Sequence, residues 1–178
     1  MKAGWTETDI TPPLGTALGG APDRDHGYEV TYDPVLAQVL ALEDERGARL
    51  LFVTADLTGI LWRYRQRLAC LLAERFGLRS EQFVFNTSHS HSAPAAHIDL
   101  ESDPPRDLYA FRQGIAEYVP WLLEALGDAV AQALQAMRPA RLFFGRGQSH
   151  IGISRRLVVD GKAQFAPSPD GFYDRDLA

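Results

Sequence analysis

Phe83-Val-Phe-Asn-Thr-Ser-His89-Ser-His91-Ser-Ala-Pro94 is the stretch on which the reading of this chain turns. It opens as a short apolar run rich in β-formers and closes on two histidines two positions apart. Alternate side chains on an extended backbone point the same way. His89 and His91 therefore leave the strand end together if extended geometry carries through. Ser88, Ser90 and Ser92 surround them with small polar groups, and Pro94 stiffens the exit. Neutral imidazole is a common ligand for zinc and similar ions, so the pair is a candidate metal site. The spacing alone also fits a polar loop whose histidines only hydrogen-bond the backbone.

The segments before this stretch set the fold class. Residues 35–42 and 49–54 are apolar runs of strand length, joined through the turn signal Asp44-Glu-Arg-Gly47. Their near-continuous apolarity predicts strands buried on both faces. Leu61, Tyr64, Leu68, Leu71 and Leu72 repeat at helical spacing over residues 61–76, with arginines on the other face and Gly77 placed to end the helix. The strand at 82–87 then delivers His89. Strand, helix and strand in this order predict a crossover unit, which places functional residues at the carboxyl ends of its strands. Asp56 and His89 both fall there. Asp56 either serves a site or caps the turn that follows.

The class is thus α/β, with mixed sheets flanked by helices. A second long helix is expected over roughly residues 115–137. Pro120 fits a first turn better than an interior, which places the regular part from about Tyr118 onward. Residues 140–145 read as a third buried strand. Residues 151–159 and 162–165, joined by Asp160-Gly161, read as a β-hairpin. Residues 9–34 are rich in Pro, Gly and Asp and read as an ordered loop anchored by Trp5, Tyr28 and Tyr32. Residues 97–108 are acidic and Pro-rich, a loop able to border an active-site mouth. His26, His97 and His150 read as loop or surface histidines rather than ligands.

Composition narrows the function. The chain has 178 residues, 46% hydrophobic and 23% charged, as expected for one globular domain with no internal boundary. A net charge of −5 and the lack of a basic run argue against nucleic acid as a partner. A single cysteine, Cys70, excludes an internal disulfide and a thiolate cage, and its apolar helical setting predicts a buried structural thiol. No run reaches membrane-spanning length, and the opening Met-Lys-Ala-Gly-Trp-Thr-Glu has no apolar signal core, which points to the cytoplasm. Nucleophile-elbow, phosphate-loop and dinucleotide motifs do not occur.

The His-x-His stretch resembles the His-Thr-His-Ser-Gly-Pro signature of the neutral/alkaline, non-lysosomal ceramidase family. Three further segments match in the same order. Asp9-Ile-Thr-Pro-Pro-Leu-Gly15 is similar to that family's opening. Asp33-Pro-Val-Leu-Ala-Gln-Val-Leu-Ala-Leu and Leu50-Leu-Phe-Val-Thr-Ala-Asp56-Leu are similar to its first two core strands. Ile153-Ser-Arg155-Arg156 with Pro169-Asp-Gly171 resembles its Asn-Arg-Arg and Pro-Asp-Gly elements. Ala93 stands for the usual Gly, and Ser154 for the usual Asn.

The resemblance implies the N-terminal part of a larger catalytic domain that uses zinc-activated water to hydrolyse a linear amide, such as N-acylsphingosine. It implies His89 as a zinc ligand, His91 beside the substrate carbonyl and Arg155 in contact with the substrate. The substrate would be a small-molecule or lipid amide. The remaining ligands would lie beyond Ala178, so residues 1–178 alone are expected to bind zinc weakly, turn over no amide and associate through open sheet edges. Arg155 and Arg156, on one hairpin arm, are expected to face opposite sides. Two other readings stay open: a different His-x-His metallohydrolase of amidohydrolase type, and a non-catalytic domain of the same fold.

Overall fold

A computed structural model describes residues 1–21, 23–100 and 111–177. The chain divides into two compact units, Met1–Ala140 and Arg141–Ala178.

The first unit is built on a five-stranded mixed sheet. Its strands are β1 (Lys2–Asp9), β2 (Leu36–Glu43), β3 (Arg49–Ala55), β4 (Phe83–Thr87) and the two-residue β5 (Arg138–Pro139), in the order β4-β3-β2-β1-β5. The first three form an antiparallel meander, with Trp5 opposite Leu40 and Leu40 opposite Phe52. β4 joins β3 in parallel, with Phe52 beside Val84. The expected crossover unit is therefore present. A parallel neighbour cannot be reached by a tight turn, and the helix between β3 and β4 supplies the connection.

That helix, α1 (Trp62–Phe76), ends on Gly77 at φ 65°. The Gly77 amide closes back on the Ala73 carbonyl, the αL type of helix ending, and the Leu78 amide reaches the Leu72 carbonyl. Its buried stripe is Tyr64, Leu68 and Leu72. The second helix, α2 (Ile115–Gln135), begins three residues before Tyr118, capped by Gly114 at φ 77°. Pro120 thus lies inside a helix that already runs, contrary to the sequence expectation. The Tyr118 amide bonds to the Gly114 carbonyl, so the first turn closes ahead of the proline. α2 packs on β1 and β2 and beside α1. At Gly4 a Cβ would sit 1.9 Å from the Ala133 carbonyl oxygen, so only glycine lets the helix approach this closely.

Strand alternation splits the sheet into two unlike faces. Ala37, Val39, Ala41, Leu51 and Val53 face the helices and are fully buried. Trp5, Phe52 and Val84 lie on the other face and are 58%, 37% and 46% exposed. The expectation of burial on both faces is therefore corrected. An apolar run shows that a strand suits a core, but not how many layers cover it. β1 carried no such run, and the sequence reading did not identify it. Its buried positions are filled by Gly4 and half-buried threonines rather than by large apolar residues.

The described residues of the 9–34 segment form an ordered loop, as expected, though not on all three expected anchors. The Gly15 amide bonds to the Tyr28 carbonyl and the Tyr28 amide to that of Thr16. The Tyr28 hydroxyl donates to the Pro12 carbonyl. Tyr32 and Trp5 are instead exposed. Tyr118 of α2 pins the start of the loop, its hydroxyl donating to the Ile10 carbonyl at 2.7 Å. Burial pushes that phenol well above its usual range, with a smaller push from the Asp9 charge. Cys70 is exposed on α1, which corrects the expectation of a buried thiol.

The second unit contains an antiparallel hairpin of β7 (Arg156–Val159) and β8 (Lys162–Phe165), and a short pair, β6 (Gly147–Gln148) with β9 (Asp176–Leu177). Asp160 and Gly161 turn the hairpin at φ 49° and 73°. These are the two positive values that its Asp-Gly signal foretells. The strand expected over 140–145 does not form. Phe143 and Phe144 there are 84% and 74% exposed. Of the acidic stretch expected at a site mouth, residues 101–108 lie outside the described residues.

Candidate functional site

β4 stops at Thr87, and the histidine pair follows in a loop. His89 has φ 59°, a left-handed conformation uncommon for a residue with a Cβ. Extended geometry therefore does not carry through the motif. The two imidazoles nevertheless meet, with ring centroids 5.0 Å apart and planes at 71°. A turn, rather than strand alternation, brings them together. Both residues are exposed.

Thr58 holds the loop from below. It lies on the segment after β3 and is almost fully buried. Its hydroxyl donates to the Ser90 carbonyl at 2.6 Å. Its own carbonyl accepts a 2.6 Å bond from His89 Nδ1. A carbonyl oxygen has no proton to give, so Nδ1 carries the hydrogen. In the neutral ring that leaves the Nε2 lone pair free to act as base or donor atom. The sequence reading did not single out Thr58, because a threonine two residues after Asp56 carries no motif.

Residues 17–19 run beside 93–95 on the other side. Gly19 donates its amide to the Ala93 carbonyl, Ala95 donates to that of Ala17, and Leu18 bridges Pro94. The Gly19-Gly20 pair is the one sequence signal that could have marked this approach. At Gly20, φ 87°, a Cβ would fall 2.2 Å from His91 Cγ. At Gly19 it would meet Thr58 Oγ1 at 2.2 Å and His97 Cε1 at 2.8 Å. His97 is thus half-buried among these groups, not a surface histidine as expected.

A cavity of about 510 Å³ opens beside the loop, with Ser90, Ser92, Asp56, Asp33, Tyr28 and Tyr32 in its lining. Asp56 is exposed, and its amide bonds to the Leu36 carbonyl. A second cavity, about 580 Å³, lies between Pro12, Pro13, Leu14, Tyr118 and Trp121. His26 is an exposed loop histidine, as expected. Its Nδ1 lies 2.7 Å from Asp25 Oδ1, and that hydrogen bond holds the Asp25 carboxyl below its usual range.

Arg155 and Arg156 belong to the second unit, as does the exposed His150. Arg155 precedes β7 rather than lying on it, and its guanidinium rests 4.6 Å from the centre of the Phe165 ring. Arg156 opens the strand. Both line the same shallow recess with Ala163, Gln164 and Phe165.

The expectation of zinc is corrected. Among the described residues no group of three or more His, Cys, Asp or Glu side chains could hold a metal ion. A catalytic zinc usually takes three protein ligands and an open position. His89 and His91 are two. Among the described residues the donor set does not fit a resident metal.

Solved structures place the fold in a class. The mixed α/β architecture of sheets flanked by helices corresponds to part of a ceramidase-like fold. The chain is similar to the neutral ceramidase from Pseudomonas aeruginosa, with TM-score 0.71 and 20% identity. It is also similar to a ceramidase complexed with C2, with TM-score 0.72 and 19% identity. Each match covers 87% of this chain and 24% of the other, so the chain spans about a quarter of the length of these structures. No family model and no curated protein matches the sequence. Among the described residues no helix is long and apolar enough to cross a membrane.

Proposed function

We propose that this chain contributes to the reaction centre of an amide hydrolase of the neutral ceramidase kind, acting on a linear N-acyl bond such as that of an N-acylsphingosine. The observation that carries the reading is the meeting of the His89 and His91 rings at 5.0 Å, on a strained loop at the carboxyl end of β4. Imidazoles presented in this way can take a proton from an attacking water and return one to the leaving amine. His89 has the better-defined tautomer, since the Thr58 carbonyl fixes the hydrogen on Nδ1. His91 lies beside the scissile carbonyl in this reading. Arg155, a planar fork of donors, is a substrate contact in this reading, as the family resemblance implies.

The test is hydrolysis of N-acyl sphingoid bases and simple N-acyl amines by the complete protein. His91→Ala and Arg155→Ala should each lower kcat/KM on the order of 10²–10³-fold while leaving the thermal midpoint nearly unchanged. Cleavage that survives both substitutions at full rate overturns the assignment. A second reading is a non-catalytic domain of the same fold. Failure of the complete protein to cleave any N-acyl amide would select it.

A further inference from the structure

We propose that Arg24 is a positioning residue for His91: its guanidinium clamps the loop at 16–31 onto the carbonyl of the histidine itself. The inference rests on the reading of His91 as a site residue and adds how that residue is held.

The ladder between 17–19 and 93–95 sets the geometry. Its rungs pair Ala17 with Ala95, Leu18 with Pro94 and Gly19 with Ala93. Continued in register, the next hydrogen-bonded pair would set Ala21 opposite His91, and the Ala21 amide would meet the His91 carbonyl. That carbonyl instead accepts from Arg24, at 3.3 Å from Nη1 and 3.3 Å from Nη2. Nη1 also donates to the Gly19 carbonyl at 3.1 Å. One planar, permanently charged group thus joins the last residue of the ladder to the histidine beyond it. Gly20 lies between these anchors and packs on the His91 ring with no room for a Cβ. Where Arg24 holds the loop, the Gly20 backbone sets the wall against which the imidazole rests.

His89 is held differently, by Thr58 from the β3 side. The two histidines therefore have separate supports, which gives the proposal a signature that general destabilisation lacks. Loss of Arg24 should move one ring and spare the other.

The experiment records imidazole proton–nitrogen correlation spectra of the whole chain, with thermal unfolding in parallel. In Arg24→Ala the His91 ring signals should shift and broaden, while the His89 signals keep the pattern of an Nδ1–H tautomer. Free guanidinium at sub-denaturing concentration should return the His91 signals toward their original positions. In the active protein, kcat should fall on the order of 10–100-fold with little change in KM. Unchanged His91 signals overturn the proposal. So does full restoration by Arg24→Lys, which keeps the charge but loses the fork. If the alanine variant does not fold, Arg24→Gln decides by the same readout. A moved His91 ring in a protein that cleaves no amide leaves the clamp standing and removes the hydrolase reading alone.

Discussion

The two faces of the five-stranded sheet come from the same strands and differ in almost every other respect. Val53 and Phe52 are neighbours in β3. Val53 is fully buried under the helices, whereas Phe52 sits in a row with Trp5, Leu40 and Val84 on the opposite side. Only the first face is a core. Each fully buried Val or Leu there is worth about 1.5–3 kcal/mol relative to exposure, and the half-open row gains only part of that. Further along the same open face the row becomes polar. The Gln38 amide donates to Glu7 at 2.8 Å, and Thr54 and Asn86 stand beside each other in register. Apolarity in a strand therefore does not reveal which face is covered.

The largest effect should come from the covered side. Leu122 of α2 is fully buried in the cluster that includes Val39, Val53 and Leu68. Leu122→Ala should cost about 2–5 kcal/mol in urea unfolding, from lost transfer energy and the cavity left behind. A cost below about 1 kcal/mol would mean that this face is not the core of the unit.

A sharper form of the comparison uses adjacent positions. Val53→Thr places a hydroxyl under the helices and should cost about 1–3 kcal/mol. Phe52→Thr puts the same side chain on the open face, and should stay within about 1 kcal/mol while reducing self-association in sedimentation velocity. Equal losses at the two sites would contradict the assignment of faces.

The smallest effect lies at the sheet end. Glu43 of β2 meets Lys2 Nζ at 2.9 Å and Arg49 Nε at 2.8 Å. These hydrogen bonds, Lys2 first, hold its carboxyl below the usual range. A carboxyl depressed on folding adds stability above its ordinary pKa, and that gain is lost as pH falls through its folded value. The wild-type advantage over Glu43→Gln should therefore be present at neutral pH, shrink in acid and weaken with added salt. An advantage that grows in acid would show that the carboxylate is not held by these cations.

Much of the fold was legible because its signals are local. The α1 stripe, the Gly77 ending, the Asp160-Gly161 turn and the strand-helix-strand order each follow from residues close together in sequence. β1 was not legible, because Gly4 and the threonines around it carry no apolar alternation. They suit a helix that approaches within backbone distance, and that helix lies more than a hundred residues downstream. The run at 140–145 erred the other way, since its apolar residues found no partner strand and stayed exposed. Within the candidate site, His89 and His91 were found by spacing. Thr58 and Arg24, which hold them, were not, because the main-chain carbonyls they donate to, those of Ser90 and His91, lie 32 and 67 positions away.

The sequence by itself determined the α/β class, the ending of α1 at Gly77 and the identity of the two imidazoles, since periodicity and turn chemistry act over a few residues. Only the tertiary structure decided which sheet face is covered, and that the histidine rings meet through a left-handed turn at His89. It also corrected the expected zinc, because a ligand set is a count of side chains gathered in space. Spacing along the chain supplies two donors here, and among the described residues folding brings no third.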